Sequence, residues 1–269
     1  MKKAVLILLL TFPGGAAFAG GTATASRPVE ISAARSLEWN RKEKTYTARE
    51  KVIVVQGAAR IQSDILTARY TDDAGATDFS TLEASQHVII QSPPYTATGD
   101  RAVYNVKTGN ATLTGHAMKV TTGEDRMTAL DKIEFFGAED RLTATGKATV
   151  TRGPDIMTAD VLNVYFGRDA TGKMTAEKAT AAGNVIIKTA RETITGDEGV
   201  YDILAQKSVL SGKVRIRQGE NWLEGTTANI DMTTGISQLL GGGNAGTEGR
   251  VKGVFYPRDK NQDPEGQKN

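Results

Sequence analysis

The amino-acid sequence predicts an all-β chain: an antiparallel, repeat-built sandwich or jelly roll, solenoid-like along its length and without a helical domain. Three observations carry that expectation. A two-part motif recurs, apolar and polar residues alternate with a period of two, and tight-turn residues punctuate the alternating stretches. The first half of the motif reads Thr98-Gly99-Asp100-Arg101-Ala102-Val103-Tyr104, then Thr128-Ala129-Leu130-Asp131-Lys132-Ile133-Glu134-Phe135, Thr158-Ala159-Asp160-Val161-Leu162-Asn163-Val164 and Thr195-Gly196-Asp197-Glu198-Gly199-Val200-Tyr201. Its leading threonines, at 98, 128, 158 and 195, lie 30, 30 and 37 residues apart. The second half follows as Leu113-Thr114-Gly115-His116-Ala117, Gly146-Lys147-Ala148-Thr149-Val150, Gly183-Asn184-Val185-Ile186-Ile187 and Gly212-Lys213-Val214-Arg215-Ile216. Each repeat is therefore two strands long.

Taken in order, the elements begin with a secretory signal peptide over residues 1–19. Met1-Lys2-Lys3 is a basic start, Ala4 to Phe12 an apolar run, and Ala17-Phe18-Ala19 a small-residue cleavage site, with the cut after Ala19. The run of about nine residues is short for a membrane helix, which needs ~20, and a retained membrane anchor is the alternative to cleavage. Residues 20–27 are small and polar and read as a flexible lead. Residues 28–240 form one repeat domain of about seven units and about fourteen strands. Diverged early copies are Ile31-Ser32-Ala33-Ala34-Arg35 before Glu50-Lys51-Val52-Ile53-Val54, and Leu66-Thr67-Ala68-Arg69-Tyr70 before Gln86-His87-Val88-Ile89-Ile90. Turns are expected at Lys107–Asn110, Thr121–Glu124, Asp169–Lys173, Arg217–Glu220 and Thr233–Gly235, where Gly supplies positive φ. Residues 241–269 read as a polar, disordered tail.

Composition narrows the function classes. No cysteine is present, which removes disulfides, thiolate metal sites and a lipid-modified N-terminal Cys. The full chain has 33 basic and 31 acidic residues, and loss of Lys2 and Lys3 with the signal leaves 31 of each. A formally neutral mature chain argues against nucleic acid as a partner and against simple electrostatic membrane binding.

Superimposing the copies sorts each strand into two faces. In the first half-unit the inward positions are Ala102 and Tyr104, Ile133 and Phe135, Leu162 and Val164, and Gly199 and Tyr201. In the second they are Val52 and Val54, Val88 and Ile90, Ala148 and Val150, Val185 and Ile187, and Val214 and Ile216; Leu113, Leu142 and Phe166 join the same row, and Lys119 after Ala117 is the exception. One buried and one wet face per strand is the mark of antiparallel sheets. Two such sheets enclose an apolar slot. On pattern alone that slot is either a filled solenoid core or an open trough holding something apolar.

The Gly183-Asn184-Val185-Ile186-Ile187, Gly212-Lys213-Val214-Arg215-Ile216 and Gly146-Lys147-Ala148-Thr149-Val150 strands resemble the Gly-x-Val-x-Ile strand of the OstA-like domain family. The Thr98–Asn105 and Thr195–Asp202 segments resemble its preceding Gly/Ala-Asp-x-Ala-x-Tyr strand. The resemblance spans nearly the whole mature chain. It implies an open, slightly twisted β-jelly roll in the periplasm of a Gram-negative cell, bridging inner and outer membranes in lipopolysaccharide transport. The inward row would then be a groove for the acyl chains of lipid A. Implied partners are lipopolysaccharide, further copies of the chain stacked head to tail, and the inner-membrane-anchored and outer-membrane OstA-like components. Uncapped edge strands suit such stacking. The candidate edges are the segments from Val29 to Leu37, with Val29 and Ile31, and from Ala228 to Leu239, with Ile230, Met232 and Ile236.

Nothing in the sequence assembles a catalytic, metal or cofactor site. His87 and His116 are the only histidines. Asp100, Asp131, Asp160 and Asp197 recur at strand starts, where Asp caps turns, and no calcium-loop motif accompanies them. The chain is therefore read as non-enzymatic. The alternative to a lipid carrier is an exported structural β-solenoid, filament- or adhesin-like, with a dry core; a carbohydrate-active solenoid enzyme stands third.

Overall fold

A computed structural model describes residues 29–73, 76–123, 125–169, 174–242 and 249–256. The signal peptide, the flexible lead, most of the Asp169–Lys173 turn and the end of the tail fall outside them. The described chain forms 18 strands: β1 (Glu30–Ser32), β2 (Ser36–Asn40), β3 (Thr45–Gln56), β4 (Ala59–Asp73), β5 (Ala76–Ser92), β6 (Tyr95–Asn105), β7 (Asn110–Thr114), β8 (Met118–Thr122) and β9 (Asp125–Ala129). The series continues with β10 (Lys132–Phe136), β11 (Arg141–Arg152), β12 (Asp155–Arg168), β13 (Met174–Lys188), β14 (Thr193–Asp202), β15 (Lys207–Gln218), β16 (Asn221–Asp231), β17 (Ile236–Leu240) and β18 (Lys252–Val254). A short 3-10 segment, Gly137–Glu139, lies between β10 and β11.

All pairings are antiparallel, and the strands form one hydrogen-bonded sheet that folds over on itself. The fold line is built by the second half of the motif. Register slips between Arg49 and Val52, Ser85 and Val88, Thr145 and Ala148, Ala182 and Val185, and Ser211 and Val214. At each slip two residues adopt positive φ, as in Gly183 (76°) with Asn184 (49°) and Gly146 (87°) with Lys147 (46°). Such bulges bend a strand without ending it. One half of every long strand thus lies in one layer and the other half in the facing layer. The first layer runs β2-β3-β4-β5-β6-β7-β10-β11-β12-β13-β14-β15-β16-β17, and the second β1-β3-β4-β5-β6-β8-β9-β11-β12-β13-β14-β15-β16-β18.

The chain therefore crosses the corner about fourteen times, the number the repeats predict. The count rises to 18 because four crossings break at the corner, giving β1/β2, β7/β8, β9/β10 and β17/β18 as separate pieces. Two expectations need correction. Lys119 does not point inward: Met118, fully buried, takes that place, and Lys119 alternates to the other face of β8. The corner Gly115-His116-Ala117 holds one residue more than its counterparts, with positive φ at Gly115 and Ala117, so inward alternation restarts one step later. Within residues 241–269, read as a disordered tail, Lys252–Val254 pairs with Trp222–Glu224 of β16. Leu223 supplies an apolar neighbour there, facing Gly253.

A second backbone device recurs that the sequence conceals. The amides of Tyr70, Val106, Phe166, Ile203 and Met232 donate to the carbonyls of Lys44, Ser80, Asp140, Glu177 and Gln206, every pair 26 residues apart. The residue types differ at each copy, because only backbone atoms take part.

Candidate apolar groove and its rim

The aspartate row sits at the corner. Asp160 lies over Gly183, Asp197 over Gly212, Asp131 over Gly146 and Asp100 over Gly115, each so close that a Cβ on the glycine would collide with the carboxylate. The side-chain amide of Asn184 donates to Asp160 Oδ2 (2.8 Å), and the backbone N–H of His116 donates to Asp100 Oδ2 (2.8 Å). In the early unit His87 Nδ1 lies 2.7 Å from Asp64 Oδ2. That contact raises the His87 pKa from its ordinary value, the hydrogen bond to Asp64 contributing most. Asp100 is held below the usual carboxylate range, chiefly by the His116 backbone N–H and then by its ring. These carboxylates cap bent backbone, as Asp does in turns.

The inward row of the sequence reading is the inner surface of the folded sheet. Val52, Val54, Val88, Ala102, Leu113, Ile133, Val150, Leu162, Val164, Val185, Ile187, Tyr201 and Val214 are buried, and Ile90, Tyr104, Phe135, Leu142, Phe166 and Ile216 are half-buried. Eleven buried alanines among the described residues, Ala84, Ala144, Ala148 and Ala159 included, keep the walls thin. The structure gathers eight of the candidates, Ile90, Ala102, Tyr104, Leu113, Ile133, Phe135, Leu142 and Phe166, around a cavity of about 220 Å3. The other candidates do not line it. Toward β14–β16 the layers meet through side chains such as Ile187, Ile194, Leu210 and Val214.

Several lining residues were missed by the repeat pattern. Ile61, Leu66 and Leu82 belong to diverged copies, Tyr95 and Ala97 precede the Thr-Gly-Asp motif, and Val120 and Met174 follow bends that shift the alternation. The signal available was period-two alternation read outward from the corner glycines. Burial pushes the Tyr95 and Tyr104 hydroxyls above their ordinary pKa, so both stay neutral. Past Val120 the inner face turns polar: Thr122, Asp125 and Arg152 stand at the rim, and Arg152 makes a bidentate ion pair with Asp125.

At the two ends of the sheet, the outer sides of β1 and β2, and of β17 and β18, have no strand partner among the described residues. Of the residues expected at those edges, Val29, Ile31, Ile230 and Met232 are partly buried and pack against the core, Ile31 from β1 itself. Ile236 is exposed. The other exposed apolar residues near the ends are Leu37 and Trp39 on β2 and Leu240, Val251, Phe255 and Tyr256 at the other end. Trp39 is held by a stack on Tyr46 (5.6 Å), by Arg41 over its ring (4.2 Å), and by its Nε1–H donating to the Tyr70 hydroxyl (2.7 Å).

Comparison with known proteins finds the following similarities. A family model described as LptA/(LptD N-terminal domain) LPS transport protein matches residues 30–140 and again 131–236. A Rhizobium meliloti (strain 1021) protein described as uncharacterized is 27% identical over 114 residues, covering 40% of this chain; the chain spans 61% of that relative's length. The crystal structure of LptH, described as the LptA-homologous periplasmic component of the lipopolysaccharide transport device of Pseudomonas aeruginosa, aligns over 86% of this chain and 96% of that one. Its sequence identity is 14% and its TM-score 0.23. With the two family matches running from Glu30 to Ile236, across nearly all the strands described above, the chain belongs to the LptA/LptD N-terminal-domain family of lipopolysaccharide transport proteins.

Proposed function

We propose that this protein is a periplasmic carrier that moves lipopolysaccharide from the inner to the outer membrane by solvating its acyl chains between the two layers. The observation that carries the reading is the cavity at Phe135, Tyr104 and Leu142, whose wall is almost wholly apolar. Each CH2 kept from water is worth ~0.8 kcal/mol, so a chain crossing an aqueous compartment is strongly drawn to such a wall. At about 220 Å3 the cavity exceeds the ~150 Å3 that suffices elsewhere to hold benzene, yet falls short of the ~300 Å3 where drug-sized sites begin. The closed form thus takes part of one chain, and loading parts the layers.

The same reading covers export and assembly. The signal peptide is cleaved after Ala19, and copies stack head to tail through the open edges at β1/β2 and β17/β18. Membrane-anchored and outer-membrane members of the family would extend the array by the same strand addition. Family membership and the apolar residues exposed near both ends support this. A photo-crosslinking residue at Phe135 or Leu162 should capture lipopolysaccharide in cells, and one at Lys132 or Asn163 should not. Capture only from the outward pair would reject the groove and favour a dry solenoid.

A further inference from the structure

Two residues along the inner face of β8 from Val120, a cavity-lining residue, the wall becomes polar. Thr122 is buried there, and so is its register partner on β9, Asp125, at 7% exposure. Asp125 shares the inward face of β9 with Met127 and Ala129, and Arg152 shares that of β11 with Ala148 and Val150. Arg152 Nε donates to Asp125 Oδ1 at 2.5 Å and Nη2 donates to Oδ2. This side-on fork uses two of the five guanidinium donors. The end-on fork, Nη1 with the second N–H of Nη2, meets no acceptor among the described residues, and Asp155, in register with Arg152 on β12, takes none of its hydrogen bonds.

A second unusual polar group is buried in the other layer. Tyr201 on β14 is 6% exposed, and its hydroxyl is buried without a hydrogen-bond partner. Burial raises its pKa, and the Arg152 charge pulls the other way. A buried hydroxyl with no acceptor is a standing cost in the empty protein. We infer that Asp125, Arg152 and Tyr201 form an anion subsite at the rim of the groove, taking a phosphate monoester on the head of an acylated glycolipid whose chain lies in the cavity.

The chemistry fits each group. Phosphate oxygens match the planar end-on fork bidentately and leave a further oxygen to accept from Tyr201. Asp125 is the positioning residue, holding the guanidinium plane so that its free edge is presented. Arg152 stands two residues along (~7 Å) and two strands across (~10 Å) from Val120, so a headgroup at Arg152 lies ~12 Å from an acyl chain at Val120. The subsite rests on the carrier reading and adds to it a selection for phosphorylated cargo.

The test compares lipid A with its enzymatically dephosphorylated form, using the full mature chain and displacement of an apolar dye from the cavity. The wild-type protein should bind lipid A about tenfold more tightly, as a charge-assisted bidentate contact allows. Tyr201→Phe should cut that preference severalfold without lowering the melting temperature. The double variant Asp125→Leu/Arg152→Met, which replaces the buried pair by apolar side chains and is expected to fold, should abolish the preference and keep dephosphorylated lipid bound. Equal wild-type affinity for both lipids, or a preference that survives the double variant, overturns the subsite. Failure of both lipids to bind would overturn the carrier reading itself. Inorganic phosphate that binds the wild type tightly with no acyl chain present would mark a free-anion site and overturn the headgroup assignment.

Discussion

At the scale of single residues, the corner is decided by what is missing. Gly183 has φ 76° and lies beneath the Asp160 carboxylate, so an alanine there meets both a strained backbone and a collision. Gly183→Ala should lower the unfolding free energy by about 1–3 kcal/mol in urea denaturation. In an Asp160→Ala background the same change should cost less, with ~1 kcal/mol of coupling between the two sites. Additive effects would show that the carboxylate is not what excludes a side chain. The Gly-led motif and the aspartates were legible in the sequence as a repeat, and the aspartates as structural. Their mutual contact was not, because Asp160 and Gly183, 23 positions apart, are brought together by strand register. Asp64 escaped notice for a related reason: its corner partner is His87, in a copy where Gln86 and His87 carry positive φ without any glycine.

At the scale of elements, the residues that alternation marks as inward on β3, β5, β11, β13 and β15 are buried or half-buried, since one strand residue in two must face the core. It failed at β8 because the extra corner residue shifts the phase, a change no period-two count can see. Inserting an alanine between Ala117 and Met118 should therefore turn Lys119 to the inner face and Met118 to the outer one, and the denaturation midpoint should fall sharply, by the ~2–5 kcal/mol typical of a lost core side chain. An unchanged midpoint would mean that β8 tolerates either phase. The cavity too was beyond sequence reasoning. Whether Tyr104 and Phe135 leave space or fill it depends on the residues that the facing layer brings opposite them, and that pairing comes from the fold of the sheet.

At the scale of the whole molecule, the two layers hold equal numbers of strands, and both terminal edges stay open among the described residues. A chain ending after Thr233 lacks β17 and β18 and exposes β16, which the native chain covers in both layers. Such a truncation should keep its circular-dichroism β signal and lose concentration-dependent association in analytical ultracentrifugation. Association undiminished by the truncation would place the contact elsewhere. Equal layers have one more consequence, which concerns reach. Neighbouring strands stand ~4.8 Å apart, so about fourteen positions set a rod roughly 60 Å long, and each two-strand repeat contributes roughly 10 Å of it. Because repeats touch only their neighbours, gaining or losing one alters the span of the rod and leaves its cross-section unchanged. Repeat number is thus a ruler written in the gene, and under the proposed carrier role it would set how much of the gap one copy crosses.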